Sequence, residues 1–175
     1  AITERFRISS DGSLSTPTAG AANVRFGSGA GISIASGGNY NTLIGDNAGS
    51  NISTADGNTF LGYAVGFDNT SGSNNTAIGS YDAVSGQPTF RENESGSYNV
   101  AVGNGAMSAN TSANSNVAVG FAALKLNQTG SSAVAIGHNA LAADVTVEES
   151  TAVGTNALLS QTSGRNHAFG FRALQ

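Results

Sequence analysis

Cysteine and tryptophan are missing from this 175-residue chain, and only two prolines are present. Without cysteine there is no disulfide and no thiolate metal site. Charge is scarce as well. Seven basic and eleven acidic residues make up 10% of the chain, against a usual ~25%. The basic residues are scattered, which excludes the electrostatic footprint of a nucleic-acid binder. The net charge of −4 is too small for charge-driven disorder. No apolar run approaches the ~18 residues of a membrane helix, so no membrane insertion by this segment is expected. Glu4, Arg5 and Arg7 interrupt the place where a signal peptide carries its apolar stretch. Ala1 is not an initiator methionine, and a processed or excised piece is expected.

In place of these features the chain has 24 glycines, about twice the usual ~7%, with Asn, Ser and Thr filling much of the rest. The composition resolves into a repeat. NVRFGSGAG begins at Asn23, NTLIGDNAG at Asn41, NTFLGYAVG at Asn58 and NTAIGSYDA at Asn75. NVAVGNGAM follows at Asn99, NVAVGFAAL at Asn116, AVAIGHNAL at Ala133, STAVGTNAL at Ser150 and NHAFGFRAL at Asn166. Each carries glycine at its fifth position: Gly27, Gly45, Gly62, Gly79, Gly103, Gly120, Gly137, Gly154 and Gly170. Successive gaps are 18, 17, 17, 24, 17, 17, 17 and 16 residues. The chain therefore divides into residues 1–22 and a repeat region, 23–175, with an insertion loop at about 86–95.

One unit reads as strand, glycine bend, second short strand and polar turn. Its opening residues alternate with period two. The second and fourth positions, such as Thr42 and Ile44 or Val117 and Val119, are mostly β-branched and are expected to fill the coil. The third, mostly Ala, is then expected to face the other way. Glycine at the fifth position permits a bend that other residues make at a cost. Ala123-Leu124, Ala140-Leu141 and their equivalents are expected to form the second strand. Asparagine at the first position can stack into an amide ladder; the simpler reading is that it tolerates a turn. One coil cannot bury its apolar positions alone, but stacked neighbours can. The expected fold is all-β, a β-solenoid of about nine 17-residue coils. Glycines and Asn/Ser/Thr clusters interrupt any helical reading.

The pattern N-[TV]-A-[IV]-G-x-x-A-[LM], recurring every 17 residues across 23–175, resembles the YadA-like head repeats of trimeric autotransporter adhesins. It is closer still to the NTAIG-type repeats of bacteriophage tail fibres. Glu4-Arg5-Phe6-Arg7-Ile8-Ser9-Ser10-Asp11-Gly12 is similar to the strand-turn element preceding such repeats in phage fibres, and favours that side. The resemblance implies a left-handed parallel β-roll in which three identical chains share an axis. It implies a virion tail-fibre segment engaged in host attachment, or alternatively a bacterial surface adhesin. The implied partners are two further copies of the chain and a cell-surface polysaccharide or protein receptor. Leu43 and Phe60 depart from the small third-position residue. The chain stops at Gln175 within a repeat, so the natural chain is expected to continue.

Motifs for catalysis or cofactors are missing: no G-x-S-x-G, phosphate loop or H-E-x-x-H is present. No enzyme activity, cofactor or metal is expected. Asp144, Glu148 and Glu149 read as a solvated turn rather than a calcium site. Tyr63, Phe67, Tyr81, Phe121 and Phe171 read as core or seam packing rather than sugar platforms. An ice-binding solenoid would want a regular Thr-x-Thr array, and none recurs. The remaining candidate is the insertion. Gln87, Pro88, Thr89, Phe90, Arg91, Glu92, Asn93 and Glu94 combine charge, a proline and an aromatic expected to be exposed. Loops on rigid scaffolds are where binding commonly resides; a merely decorative loop is the competing reading.

Overall fold

The computed structural model describes residues 7–8, 14–15, 20, 22–81, 86–160 and 165–175. The Asp11-Gly12 turn lies outside them. Strands β1 (Arg7–Ile8) and β2 (Leu14–Ser15) pair antiparallel. Nine three-residue strands follow, one per repeat: β3 (Val24–Phe26), β4 (Thr42–Ile44), β5 (Thr59–Leu61), β6 (Thr76–Ile78), β7 (Val100–Val102), β8 (Val117–Val119), β9 (Val134–Ile136), β10 (Thr151–Val153) and β11 (His167–Phe169). They form a single parallel sheet in chain order, each pairing with the next so that equivalent positions stack. The architecture is a β-solenoid, and the described residues contain no helix.

The sheet faces are the reverse of the sequence expectation. The third-position residues Leu43, Phe60, Ala77, Ala101, Ala118, Ala135 and Ala152 are wholly buried. The fourth-position residues Ile44, Leu61, Ile78, Val119 and Ile136 are exposed. The first position explains the inversion. Asn41, Asn58, Asn75, Asn99 and Asn116 are all enclosed, and period two puts the third position on the same side as the first. Asn58 Nδ2 donates to Asn41 Oδ1 at 3.1 Å and to the Gly72 carbonyl at 2.9 Å. Its own oxygen receives the Asn75 backbone N–H at 3.0 Å and the Asn75 amide at 3.1 Å. The same four-bond pattern recurs along the stack, so the amide ladder forms. It satisfies buried donors and acceptors that would each cost about 1–3 kcal/mol if left unpaired. Ala133 interrupts it: the Asn116 oxygen there receives only the Ala133 backbone N–H.

The Ala-Leu pairs form turns rather than a second strand. Met107, Leu124, Leu141 and Leu158 sit at φ values of 48° to 51°, in the left-handed region. That conformation costs about 1–2 kcal/mol for a residue bearing a Cβ. The cost is offset because the turn aims each side chain across the coil at the small third-position alanine. All four are buried, and full burial of such a side chain contributes about 1.5–3 kcal/mol. The turns also bond from coil to coil, as in Leu124 N–H to the Ala140 carbonyl at 3.0 Å.

Leu43 and Phe60 belong to this logic. Where the third position is large, the ninth is glycine: Gly49 opposite Leu43, and Gly66 opposite Phe60. A Cβ on Gly66 would strike the Phe60 ring. In the next coil Ala77 holds the third position and Phe90 the ninth. The bulk of the core thus passes from the strand wall to the turn wall, and Phe60 and Phe90 meet at the changeover with ring centroids 6.1 Å apart.

Fifth-position glycines stack over one another. Gly27, Gly45, Gly62, Gly103, Gly120, Gly137, Gly154 and Gly170 have φ between 122° and 137°. A Cβ on Gly120 would lie 2.5 Å from the Gly137 carbonyl oxygen. Gly79 departs from the set and has no positive φ; the Thr89 hydroxyl crowds its side-chain direction.

Candidate recess beside the insertion

The extra residues lie earlier than the sequence suggested. Thr89 accepts from the Gly66 N–H, and Phe90 donates to the Ala106 carbonyl at 3.0 Å. Those are the bonds of the regular eighth and ninth positions, so the coil has resumed by Thr89. The added length therefore falls between Gly79 and Thr89, where other coils place two residues and this one places residues 80–88. An antiparallel bridge joins Tyr81 to Pro88 at its base.

The sequence-selected residues divide accordingly. Phe90 and Thr89 are wholly buried, not exposed: the first fills the core and the second donates its hydroxyl to the Gly103 carbonyl at 2.8 Å. Asn93 is also buried. It extends a second amide stack, donating to Asn69 Oδ1 and receiving from Asn110 Nδ2. Pro88 is buried at the bridge, Gln87 is half-buried and Glu94 is exposed. Arg91 and Glu92 are half-buried at the surface.

Pro88, Arg91, Glu92 and Glu94 reach concavities, and Arg91 borders two of them. A recess of about 560 Å³ is lined by Asn47, Tyr63, Ala64, Phe67, Tyr81, Gly86, Pro88 and Arg91. Tyr63 and Tyr81 are 47% and 46% exposed, with ring centroids 6.2 Å apart and planes at 82°. The pair is edge-to-face, one of the favoured aromatic arrangements. A neighbouring recess of similar size shares Arg91 and is polar, lined by Asn51, Asp68, Thr70, Glu92, Glu94 and Thr111. Asn51 is tied there to Asp68 at 3.0 Å.

Sequence reasoning assigned Tyr63, Phe67 and Tyr81 to packing, and it missed Asn47. Tyr63 and Asn47 are sixth- and seventh-position residues just past the glycine bend, outside the coil wall. The readable signal was position: sixth-position residues as unlike as Asp46, Asn104, His138 and Thr155 mark a site the core does not constrain. Phe121 and Phe171 occupy the same outer row and are exposed too. Phe121 stacks on His138 at 5.0 Å.

Asp144 is not solvated. It is buried in the twelfth position, where Asn110 and Asn127 stand in earlier coils, and its carboxylate accepts the Thr146 N–H at 2.9 Å. Among the described residues no three metal-ligating side chains converge, and no helix is long and apolar enough to cross a membrane. No family model, curated protein or solved structure matches the chain.

Proposed function

We propose that the chain is a structural and adhesive segment of a homotrimeric, left-handed β-roll fibre of the phage tail-fibre type, carried on the virion and engaged in host-surface attachment. The observation that carries this reading is the outward face of the sheet. Ile44, Leu61, Ile78, Val119, Ile136 and Phe169 are exposed and Val102 and Val153 half-buried, so the fourth positions form an apolar ribbon along the stack. Monomeric proteins rarely leave so continuous an apolar surface uncovered. A second copy of the chain has the same rise per coil and matches the ribbon rung for rung. The repeat motif and the Glu4–Gly12 element add the phage-fibre resemblance.

Light scattering on the purified chain at micromolar concentration tests the assembly, with a mass of three times 17.4 kDa expected. Ile136→Lys, on an exposed residue, is expected to dissociate the trimer while the circular dichroism of the coil persists. A folded parent that remains monomeric refutes the reading.

A further inference from the structure

We propose that the recess beside the insertion binds a single pyranose unit of a cell-surface polysaccharide. The inference rests on the adhesive reading above and names the ligand class of that activity. Three features point to it. The volume, about 560 Å³, lies within the ~300–1,000 Å³ of small-ligand sites. Tyr63 and Tyr81 are each nearly half exposed and stand at 82°, so aromatic surface is offered to the C–H face of a sugar. Arg91 and Asn47 line the recess with the aromatics, and a guanidinium and an amide together offer planar donors and an acceptor to sugar hydroxyls. A protein partner would call for a broader, flatter apolar surface, which this fold presents on the sheet face instead. The recess is lined by residues past the glycine bend, such as Tyr63 and Asn47, and by none of the exposed fourth-position row.

Saturation-transfer NMR against methyl glycosides of glucose, galactose, mannose and N-acetylglucosamine tests the proposal, with each variant's melting temperature as a folding control. At least one glycoside is expected to bind the parent. Tyr63→Ala is expected to weaken binding about tenfold, Arg91→Ala to weaken it by a similar factor, and Tyr63→Phe to retain it. Adhesion of the parent to host cells is expected to fall after periodate oxidation of vicinal diols and to survive protease treatment. Absence of binding to the whole panel, indifference to Tyr63→Ala in a folded variant, or adhesion sensitive only to protease overturns the proposal. A monomeric chain that still binds the glycoside overturns the trimeric fibre alone, which keeps the two failures distinct.

Discussion

Gly120 shows how closely successive coils approach. Its φ of 135° excludes comfortable residence by an L side chain, and a Cβ there meets the carbonyl of the next coil at 2.5 Å. Gly170 shares the backbone conformation, φ 123°, but a Cβ there meets nothing within 4 Å. Gly120→Val is expected to cost more than ~1 kcal/mol through strain and collision together. Gly170→Ala carries the strain alone and is expected to lower the melting temperature less. Equal melting of parent and Gly120→Val would contradict the bend geometry. The amides provide a second residue-scale test. Asn58→Ala removes four hydrogen bonds of the ladder and is expected to cost about 2–4 kcal/mol by denaturant titration, since several buried groups lose partners. Ala133→Asn, placed at the natural interruption, is expected to stabilise by about 1 kcal/mol.

At the scale of the coil, the glycine spacing announced the strand, the bend and the stack, because backbone requirements recur at a fixed interval. Which face points inward was not legible from β-branching alone: Val and Ile suit either side of a pleated strand. Parity contained the answer. Once Asn41 and Asn58 form a buried ladder, Leu43 and Phe60 share their side, and the outward row must be Ile44 and Leu61. The ninth-position turn stayed hidden because leucine seldom adopts a left-handed φ; the packing gain that offsets the strain is visible only across the coil. The exchange of bulk between third and ninth positions is open to a double-mutant cycle. Phe60→Ala alone opens a cavity and is expected to cost about 3–5 kcal/mol. Gly66→Leu alone collides with the Phe60 ring. Together they recreate the Ala118 and Leu124 arrangement of a later coil, with an expected favourable coupling above ~1 kcal/mol. Additive losses would mean that the two walls do not share one space.

For the whole molecule, the insertion decides what can be removed. Deleting residues 87–93 restores the 17-residue gap but takes Thr89, Phe90 and Asn93, all buried, and is expected to unfold the neighbouring coils. Replacing residues 80–88 by the Asp-Asn of positions 46–47 restores the same gap and spares Thr89, Phe90 and Asn93. It is expected to leave the melting temperature within a few degrees of the parent while abolishing the recess. A large loss of stability in that replacement would show that the insertion supports the stack. The sequence flagged this segment by its irregular spacing, but it could not say which residues belonged to the excess, since only the resumed hydrogen bonds at Thr89 and Phe90 mark the boundary. There is also a metric consequence. Each coil adds one strand spacing of ~4.8 Å along the stack, whether it contains 17 residues or 24. Reach is therefore counted in whole coils, like graduations on a ruler, and decoration added at a bend leaves the graduations where they were.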